Sequence, residues 1–126
     1  MIYQKLPRFT EEQTEDILKR NQPEELVLLA FSTGEYCRDW KGAQNICAQL
    51  TSHTDEDVRR AACYGFSYIA RNHGKLDKEI VRPYLFNELR TNKKWYGDIV
   101  CCIKEINIYM KWRIAEKAIR KYQEQG

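Results

Sequence analysis

Residues 55–69 have the pattern of a packed amphipathic helix and constrain the fold more than any other part of the chain. Asp55 can cap the first free backbone amides, and the acidic residues beside it suit the positive end of the helix dipole. The small residues around Gly65 allow a second helix to approach closely. Apolar side chains recur at spacings of four, four and three, which places them on one helical face. These residues are Val58, Ala62, Phe66 and Ile69.

The same apolar pattern returns 37 residues later in the chain, at Trp95, Ile99, Ile103 and Ile106. In the preceding segments, Ile46 and Leu50 correspond to Leu85 and Leu89, which lie 39 residues further on. Helical periodicity dominates throughout, and strand alternation is nearly absent. A two-helix unit with a period near 40 indicates a stacked α-solenoid. We therefore predict an all-α fold of six or seven helices.

Breaks in the helical pattern divide one predicted domain, residues 1–126, into four segments. Gly34 is expected to end the second helix in a left-handed conformation, and Tyr36 to begin the third. Pro83 is expected to kink or restart the fifth helix, and Lys111 to begin the last. The segments are two N-terminal capping helices (1–35), a first helix pair (36–74), a second pair (76–110) and a C-terminal helix (111–126).

The composition favours a soluble globular protein, since 43% of the 126 residues are hydrophobic and 31% are charged. No apolar run approaches the roughly 20 residues that a membrane helix needs, and the first residues lack the apolar stretch of a signal peptide. We therefore expect a cytoplasmic protein without a membrane partner. The five cysteines include no C-x-x-C pair, so we expect reduced thiols.

Residues able to perform catalysis or bind metal are sparse in this sequence. The two histidines, His53 and His73, lie 20 residues apart, and no cluster of Cys, His and acidic residues has zinc-site spacing. There is no glycine-rich phosphate loop. The acidic residues in 11–16 suit a helix N-terminus better than a pair of catalytic carboxylates. The sequence therefore predicts no enzymatic activity, no metal and no cofactor.

The stretch 36–114 resembles HEAT-like helical repeats. Arg59 falls on the family's characteristic arginine and follows two acidic positions that also match. Residues 83–89 resemble the P-x-L-x-x-x-L pattern of the first helix of a repeat. The second copy departs from the family, because Tyr96 stands where Arg59 would map. The resemblance implies a HEAT-like α-solenoid in which Arg59 pairs with an aspartate of the same or an adjacent repeat.

The overall format is also similar to a narrower group, the small bacterial HEAT-like proteins that end with an isoleucine-rich helix and a Lys-Trp turn. Residues 103–112 carry these features here. Some members of that group are immunity proteins of contact-dependent growth inhibition systems. This resemblance implies a non-catalytic protein that binds a cognate bacterial toxin, such as a nuclease, and neutralises it by blocking its active site.

One candidate contact surface is the face of the 55–72 helix opposite its apolar residues. It carries Arg60, Tyr64 and Arg71, and the equivalent strip 37 residues later carries Lys104 and Ile108. Tyrosine and arginine are preferred anchors at protein interfaces. In HEAT-like solenoids such strips line the concave face. The alternative is that the C-terminal helix folds back over the strip and covers Ile108.

A second candidate surface consists of acidic residues at the predicted helix starts and turns. Such residues could mimic a phosphate backbone and engage a basic nuclease toxin, with electrostatic steering of association. The residues are Glu35, Asp39, Asp55, Glu56 and Asp57.

The alternative hypothesis is a HEAT-like module that binds nucleic acid or serves as a general protein scaffold, and the charge distribution bears on nucleic acid as the partner. The formal net charge is +3, but residues 1–63 carry −3 and residues 64–126 carry +6. A basic C-terminal half could hold phosphates. Seven acidic residues are interspersed there, however, and a nucleic-acid-binding domain is usually more basic. The basic residues concerned are Lys93, Lys94, Lys104, Lys111, Arg113, Lys117, Arg120 and Lys121.

Overall fold

The computed structural model describes residues 5–125; residues 1–4 and 126, at the outer ends of the predicted terminal segments, lie outside that range. Within it the protein is all-α, with seven helices and no strand, which confirms the predicted fold class. None of these helices is long and apolar enough to cross a membrane. The helices are α1 (Glu11–Arg20), α2 (Pro23–Tyr36), α3 (Trp40–Leu50), α4 (Glu56–His73), α5 (Lys78–Thr91), α6 (Tyr96–Met110) and α7 (Glu116–Gln125).

Local sequence determines where several helices begin and end. Thr10 and Gln13 form a reciprocal capping box at the start of α1. The Asp55 carboxylate accepts hydrogen bonds from two first-turn amides of α4, at 2.7 and 3.2 Å. Gly74 ends α4 with a φ of +61°, a conformation that glycine adopts without steric cost. The central helix is therefore defined at both ends by its own sequence.

The helices stack around α4, which packs against α2, α3, α5 and α6. Helices α2 and α6 flank α4 and run parallel to it, because contacts advance in the same direction along both members of each pair. Phe31 and Glu35 of α2 contact Tyr64 and Arg71 of α4, and Arg60 and Ser67 of α4 contact Asp98 and Glu105 of α6. Helix α1 packs on α2 at one end, and α7 packs on α6 at the other. The described chain thus forms a short solenoid-like stack.

The predicted apolar face of α4 is fully buried. Phe66 and Ile69 are at the centre of the core, as are Ile99, Ile103 and Ile106 of α6. Trp95 is an exception to the predicted pattern, because it is only partly buried and serves as the N-terminal cap of α6. The core faces of α4 and α6 are otherwise those that the helical periodicity predicts.

The prediction that Gly34 ends the second helix is wrong. Helix α2 continues through Gly34 to Tyr36, and α3 begins only at Trp40, where the Asp39 side chain caps it. Gly34 is buried against α4, and a Cβ atom there would lie 2.7 Å from the carbonyl oxygen of Gly65. Its role is to allow two helices to approach closely, which does not require a left-handed conformation.

Of the two alternatives predicted at Pro83, a new helix start is wrong, because α5 runs through the proline, which lies on a solvent-exposed turn where one lost backbone hydrogen bond is tolerated. A kink there stays a prediction. One further predicted boundary is corrected by the structure. The last helix begins at Glu116 rather than Lys111. Lys111 instead ends α6 with a φ of 58°, and the Asn107 side chain binds both the amide and the carbonyl of Ile114.

Candidate functional site

The outward face of α4 carries five polar and aromatic side chains at helical spacing, which we call the α4 ridge. By the rise of an α-helix they span about 21 Å. Each is only partly buried or exposed, on the side of α4 that α2 and α6 flank. The ridge residues are Asp57, Arg60, Tyr64, Tyr68 and Arg71.

The first half of the ridge is organised around Asp98 of α6. Its Oδ2 atom accepts hydrogen bonds from Arg60 Nε at 2.8 Å and from the Tyr64 hydroxyl at 2.9 Å. The Arg60 guanidinium also lies over the Trp95 ring, 4.1 Å from its centroid, and 5.1 Å from the centroid of Tyr64. Arg60 is therefore held by a carboxylate and two aromatic rings, which fixes its orientation before any partner binds.

Asp57 extends this network to the N-terminal end of the ridge. Its carboxylate accepts a hydrogen bond from the Trp95 indole at 2.6 Å and pairs with Lys94 Nζ at 2.9 Å. The hydrogen bonds from Lys94 and then from Trp95 lower the pKa of Asp57, and the same contact raises the pKa of Lys94. Both groups are consequently charged at neutral pH.

An aromatic cluster forms the second half of the ridge. Phe31 of α2 lies 5.5 Å from Tyr64 and 6.0 Å from Tyr68, measured between ring centroids. The Arg71 guanidinium lies 4.6 Å from the centroid of Tyr68 and donates a hydrogen bond to Glu35 of α2 at 2.6 Å. This cluster joins the exposed faces of α2 and α4 into one surface.

Both ridge tyrosines are protonated at neutral pH. Burial raises the pKa of Tyr64, and its hydrogen bond to Asp98 raises it further. Burial also raises the pKa of Tyr68. The charged side chains form the pairs Asp57–Lys94, Arg60–Asp98 and Arg71–Glu35, so the ridge and its three partner side chains together carry no net charge. It is an aromatic surface whose polar groups are already fixed in position.

Beyond the ridge, α6 presents a more apolar strip. Ile108 is 71% exposed and Tyr109 is 44% exposed, while Glu105 accepts a hydrogen bond from Ser67 of α4 at 2.5 Å. Helix α7 folds back along α6, and its Tyr122 hydroxyl occupies the space beside Gly97. The C-terminal helix therefore covers part of α6 but leaves Ile108 open.

The structure brings together five of the ten sequence-predicted contact residues. The other five lie outside the ridge network. Asp39 and Asp55 cap α3 and α4, and Glu56 is the first residue of α4. Lys104 and Ile108 lie on α6. The acidic set does not form one surface, because Glu35 and Asp57 lie at opposite ends of the ridge. The five residues in the network are Glu35, Asp57, Arg60, Tyr64 and Arg71.

Sequence reasoning missed four residues of this surface, namely Phe31, Tyr68, Trp95 and Asp98. Tyr68 follows Tyr64 by one helical turn, so the wheel that selected Tyr64 could have found it. Asp98 lies 38 residues after Arg60, which matches the repeat spacing. Trp95 was predicted to be a core residue. Nothing in the sequence distinguishes a tryptophan of the core from one at the N-cap position of a helix.

Arg59 has a structural role beneath this surface. Its Nε atom donates to Glu88 of α5 at 3.1 Å, and Nη1 donates to the carbonyl oxygens of His53 and Thr54. The expected acidic partner is therefore a glutamate of the next helix and not an aspartate. Glu88 is completely buried and also accepts a hydrogen bond from Asn92, so this pair links α4 to α5.

Other features of the described residues give weaker indications of a functional site. A groove of about 600 Å³ lies between α1, α2 and α3, with Phe9, Leu18 and Ile46 among its lining residues. Across residues 5–125, no group of three His, Cys, Asp or Glu side chains is close enough to hold a metal ion. The α4 ridge thus remains the best-organised candidate site, and its side chains suit binding.

Comparison with known proteins identifies a structural neighbour. No protein-family model and no curated protein sequence matches this chain. The fold is similar to a chain in the crystal structure of a CDI complex from Cupriavidus taiwanensis LMG 19424, with a TM-score of 0.73 and 19% sequence identity. The match covers 86% of this chain and 97% of that chain. The protein therefore shares its fold, over nearly all of the neighbour's length, with a component of a CDI complex.

Proposed function

We propose that this protein is a non-catalytic immunity protein that binds and neutralises a cognate bacterial toxin in the cytoplasm. The observation that carries the proposal is the fold shared with a chain of a CDI complex, which extends over 97% of that chain. The resemblance of residues 103–112 to small bacterial immunity proteins points in the same direction. A nuclease is the toxin class that this resemblance suggests.

The α4 ridge is the surface that we assign to the toxin. Tyrosine and arginine dominate the binding energy of many interfaces, and they do so best when partly buried and already oriented. Tyr64, Tyr68 and Arg60 meet these conditions, since each is held by neighbouring rings or carboxylates. A ridge of about 21 Å is long enough to lie across the mouth of an active site or substrate groove, and so to block it.

The proposal is tested by expressing this protein together with the protein encoded by the adjacent gene. We expect the adjacent-gene protein to arrest growth when it is expressed alone. Co-expression should restore growth, and the two proteins should purify as a stable one-to-one complex. A neighbour that is harmless and forms no complex would contradict the proposed function.

The same complex tests the ridge. Replacing Tyr64 and Tyr68 together with alanine should weaken binding by at least about tenfold, because it removes two aromatic anchors. Tyr84→Ala is the matched control, since Tyr84 is a half-buried tyrosine on α5, away from the ridge. Affinities by calorimetry are compared with thermal unfolding of each variant. Equal affinity of the double variant and the control would place the contact elsewhere.

The acidic residues at helix starts give a less specific test. Asp39 and Asp55 both accept hydrogen bonds from first-turn amides, so their replacement by lysine removes two helix caps. Each lost cap costs about 1 kcal/mol of folding free energy. Weaker toxin binding by such a variant would therefore reflect stability as well as charge.

A further inference from the structure

The end of the molecule formed by α6, α7 and the turn between them carries more basic than acidic side chains, and most of these cations form no ion pair within residues 5–125. Arg113 pairs with Glu116 at 2.6 Å, but five other cations in this region have no carboxylate oxygen within 4.0 Å in the described chain. All but Lys104 are exposed, and Lys104 is half-buried. The five are Lys104, Lys111, Lys117, Arg120 and Lys121.

This positive end contrasts with the rest of the molecule. The ridge and its partner side chains are neutral together, because each charged ridge residue is paired. The opposite end, α1, carries four exposed acidic residues, at Glu11, Glu12, Glu15 and Asp16. Since α1 packs on α2 and α7 packs on α6, mostly acidic side chains lie at one end of the stack and mostly basic side chains at the other.

An exposed apolar side chain accompanies the positive charge. Ile108 of α6 is the most exposed large hydrophobic residue in the described chain at 71%, and Tyr109 beside it is 44% exposed. Both lie about one helical turn after Glu105, which accepts a hydrogen bond from Ser67 of α4. The apolar strip therefore continues the ridge toward the positive end, and the two surfaces can be covered by one partner.

We infer that the α6–α7 end is a second contact surface for the toxin, and that the toxin meets it with an acidic face and an apolar socket for Ile108. This inference rests on the proposed function and specifies the chemistry of its partner. It reverses the charge relation expected from the acidic helix starts, in which the toxin would be basic. Several of those acidic residues are engaged within the protein, whereas the five cations are not.

A protein partner fits this surface better than nucleic acid does. Glu105, Glu116 and Glu124 are interspersed among the cations and would repel a phosphate backbone. An exposed isoleucine contributes to a protein interface but has no counterpart on a duplex backbone. The whole chain is also only weakly basic, with a net charge of +3. Nucleic acid is accordingly a competing outcome of the test below.

The charged part of the surface is tested by charge reversal in the complex with the adjacent-gene protein. Lys117→Glu combined with Lys121→Glu should slow association about tenfold or more at low salt, because electrostatic steering acts mainly on the association rate. Lys19→Glu combined with Lys75→Glu is the matched control: both lysines are exposed and unpaired among residues 5–125, and the net charge changes equally. Equal slowing by both double variants would overturn the inference.

The apolar part is tested by Ile108→Ser, with Ile80→Ser on α5 as its control because Ile80 is also exposed, at 41%. We expect Ile108→Ser to speed dissociation several-fold with little change in association, since short-range packing acts on the dissociation rate. An unchanged dissociation rate would show that Ile108 remains in solvent in the complex. Circular dichroism of each variant checks that the fold is retained.

Two additional outcomes separate this inference from the proposed function. If the adjacent protein forms no complex with the wild-type chain, the proposed function fails and the inference falls with it. If a complex forms and its association and dissociation rates are the same for the wild type and all four variants, the proposed function stands and only the inference fails. Binding of a fluorescent 20-nucleotide RNA, measured at about 50 mM salt, tests nucleic acid as the partner. Tight RNA binding that is lost in the Lys117/Lys121 variant, with toxin binding unaffected, would assign this surface to nucleic acid.

Discussion

Phe66 is completely buried at the centre of the α4 core face, where no smaller side chain can fill its volume. We predict that Phe66→Ala lowers the free energy of unfolding by about 3–5 kcal/mol through lost burial and the cavity that remains. Urea denaturation measures this change. Ile80→Ala should change stability by less than about 0.5 kcal/mol because Ile80 lies at the surface. A near-zero value for Phe66→Ala would contradict the assigned core.

The five cysteines should differ sharply in reactivity. Burial raises the pKa of Cys47 to about 12 and raises the pKa values of Cys63 and Cys102 well above normal, whereas Cys101 is exposed. Alkylation requires the thiolate, so at pH 8 iodoacetamide should modify Cys101 first. Cys37, whose pKa burial also raises, should follow. Mass spectrometry before and after denaturation checks the order, and early modification of Cys63 would contradict it.

Single residues were predictable from the sequence where one helix determined their surroundings. Phe66 and Ile69 are buried as the α4 periodicity requires. Trp95 fits the same periodicity, but it occupies the N-cap position before α6, and its indole N–H donates a hydrogen bond to Asp57. Asp57 lies on another helix, 38 positions earlier, and a helical wheel contains no information about contacts between helices. Core positions were therefore accessible, whereas the pairs that organise the ridge were not.

At the scale of helices, α2 and α4 approach each other closely where they cross at Gly34 and Gly65. A Cβ atom on Gly65 would lie 2.5 Å from the Cys47 sulfur and 3.0 Å from the Ala30 carbonyl oxygen. We predict that Gly65→Ala destabilises the protein by about 1–3 kcal/mol through overpacking, despite the better helix propensity of alanine. Thermal and urea unfolding provide the measurement.

Two further variants show whether steric contact is the cause. Gly97→Ala should be close to neutral, because its new methyl group meets only the far end of the Tyr122 side chain, which is exposed and can move aside. Adding Cys47→Ala to Gly65→Ala should recover part of the lost stability, since the closest atom is then removed. A Gly65→Ala protein as stable as the wild type would show that Cys47 of α3 and the backbone of α2 can move away from the new methyl group at no cost.

The same crossing shows why the end of α2 could not be predicted. A glycine followed by polar residues is the usual signal for a helix end, and Gly34 fits it. The reason for Gly34 is Gly65, which lies on another helix and also allows close approach. Boundaries set by local caps, such as Asp55 and Gly74 on α4, were recognised from the sequence. Those set by packing against a distant helix were not.

The whole molecule is a stack in which stability should fall from the centre toward the ends. Helix α4 contacts four other helices, whereas α7 contacts only α6 in the described chain and contributes no fully buried residue. In a linear stack each unit is stabilised mainly by its neighbours, so a terminal helix can open without the rest. This arrangement also places the exposed cations of α7 on the least stable element.

Amide hydrogen exchange measured by mass spectrometry tests this gradient. We predict the slowest exchange in α4, faster exchange in α1 and the fastest in α7, because opening free energies range from near zero at fraying ends to the global value in the core. Adding the proposed toxin should slow exchange in α6 and α7 as well as along the α4 ridge. Uniformly slow exchange in the free protein would mean that α7 unfolds only with the core, and would remove the stability gradient from end to centre.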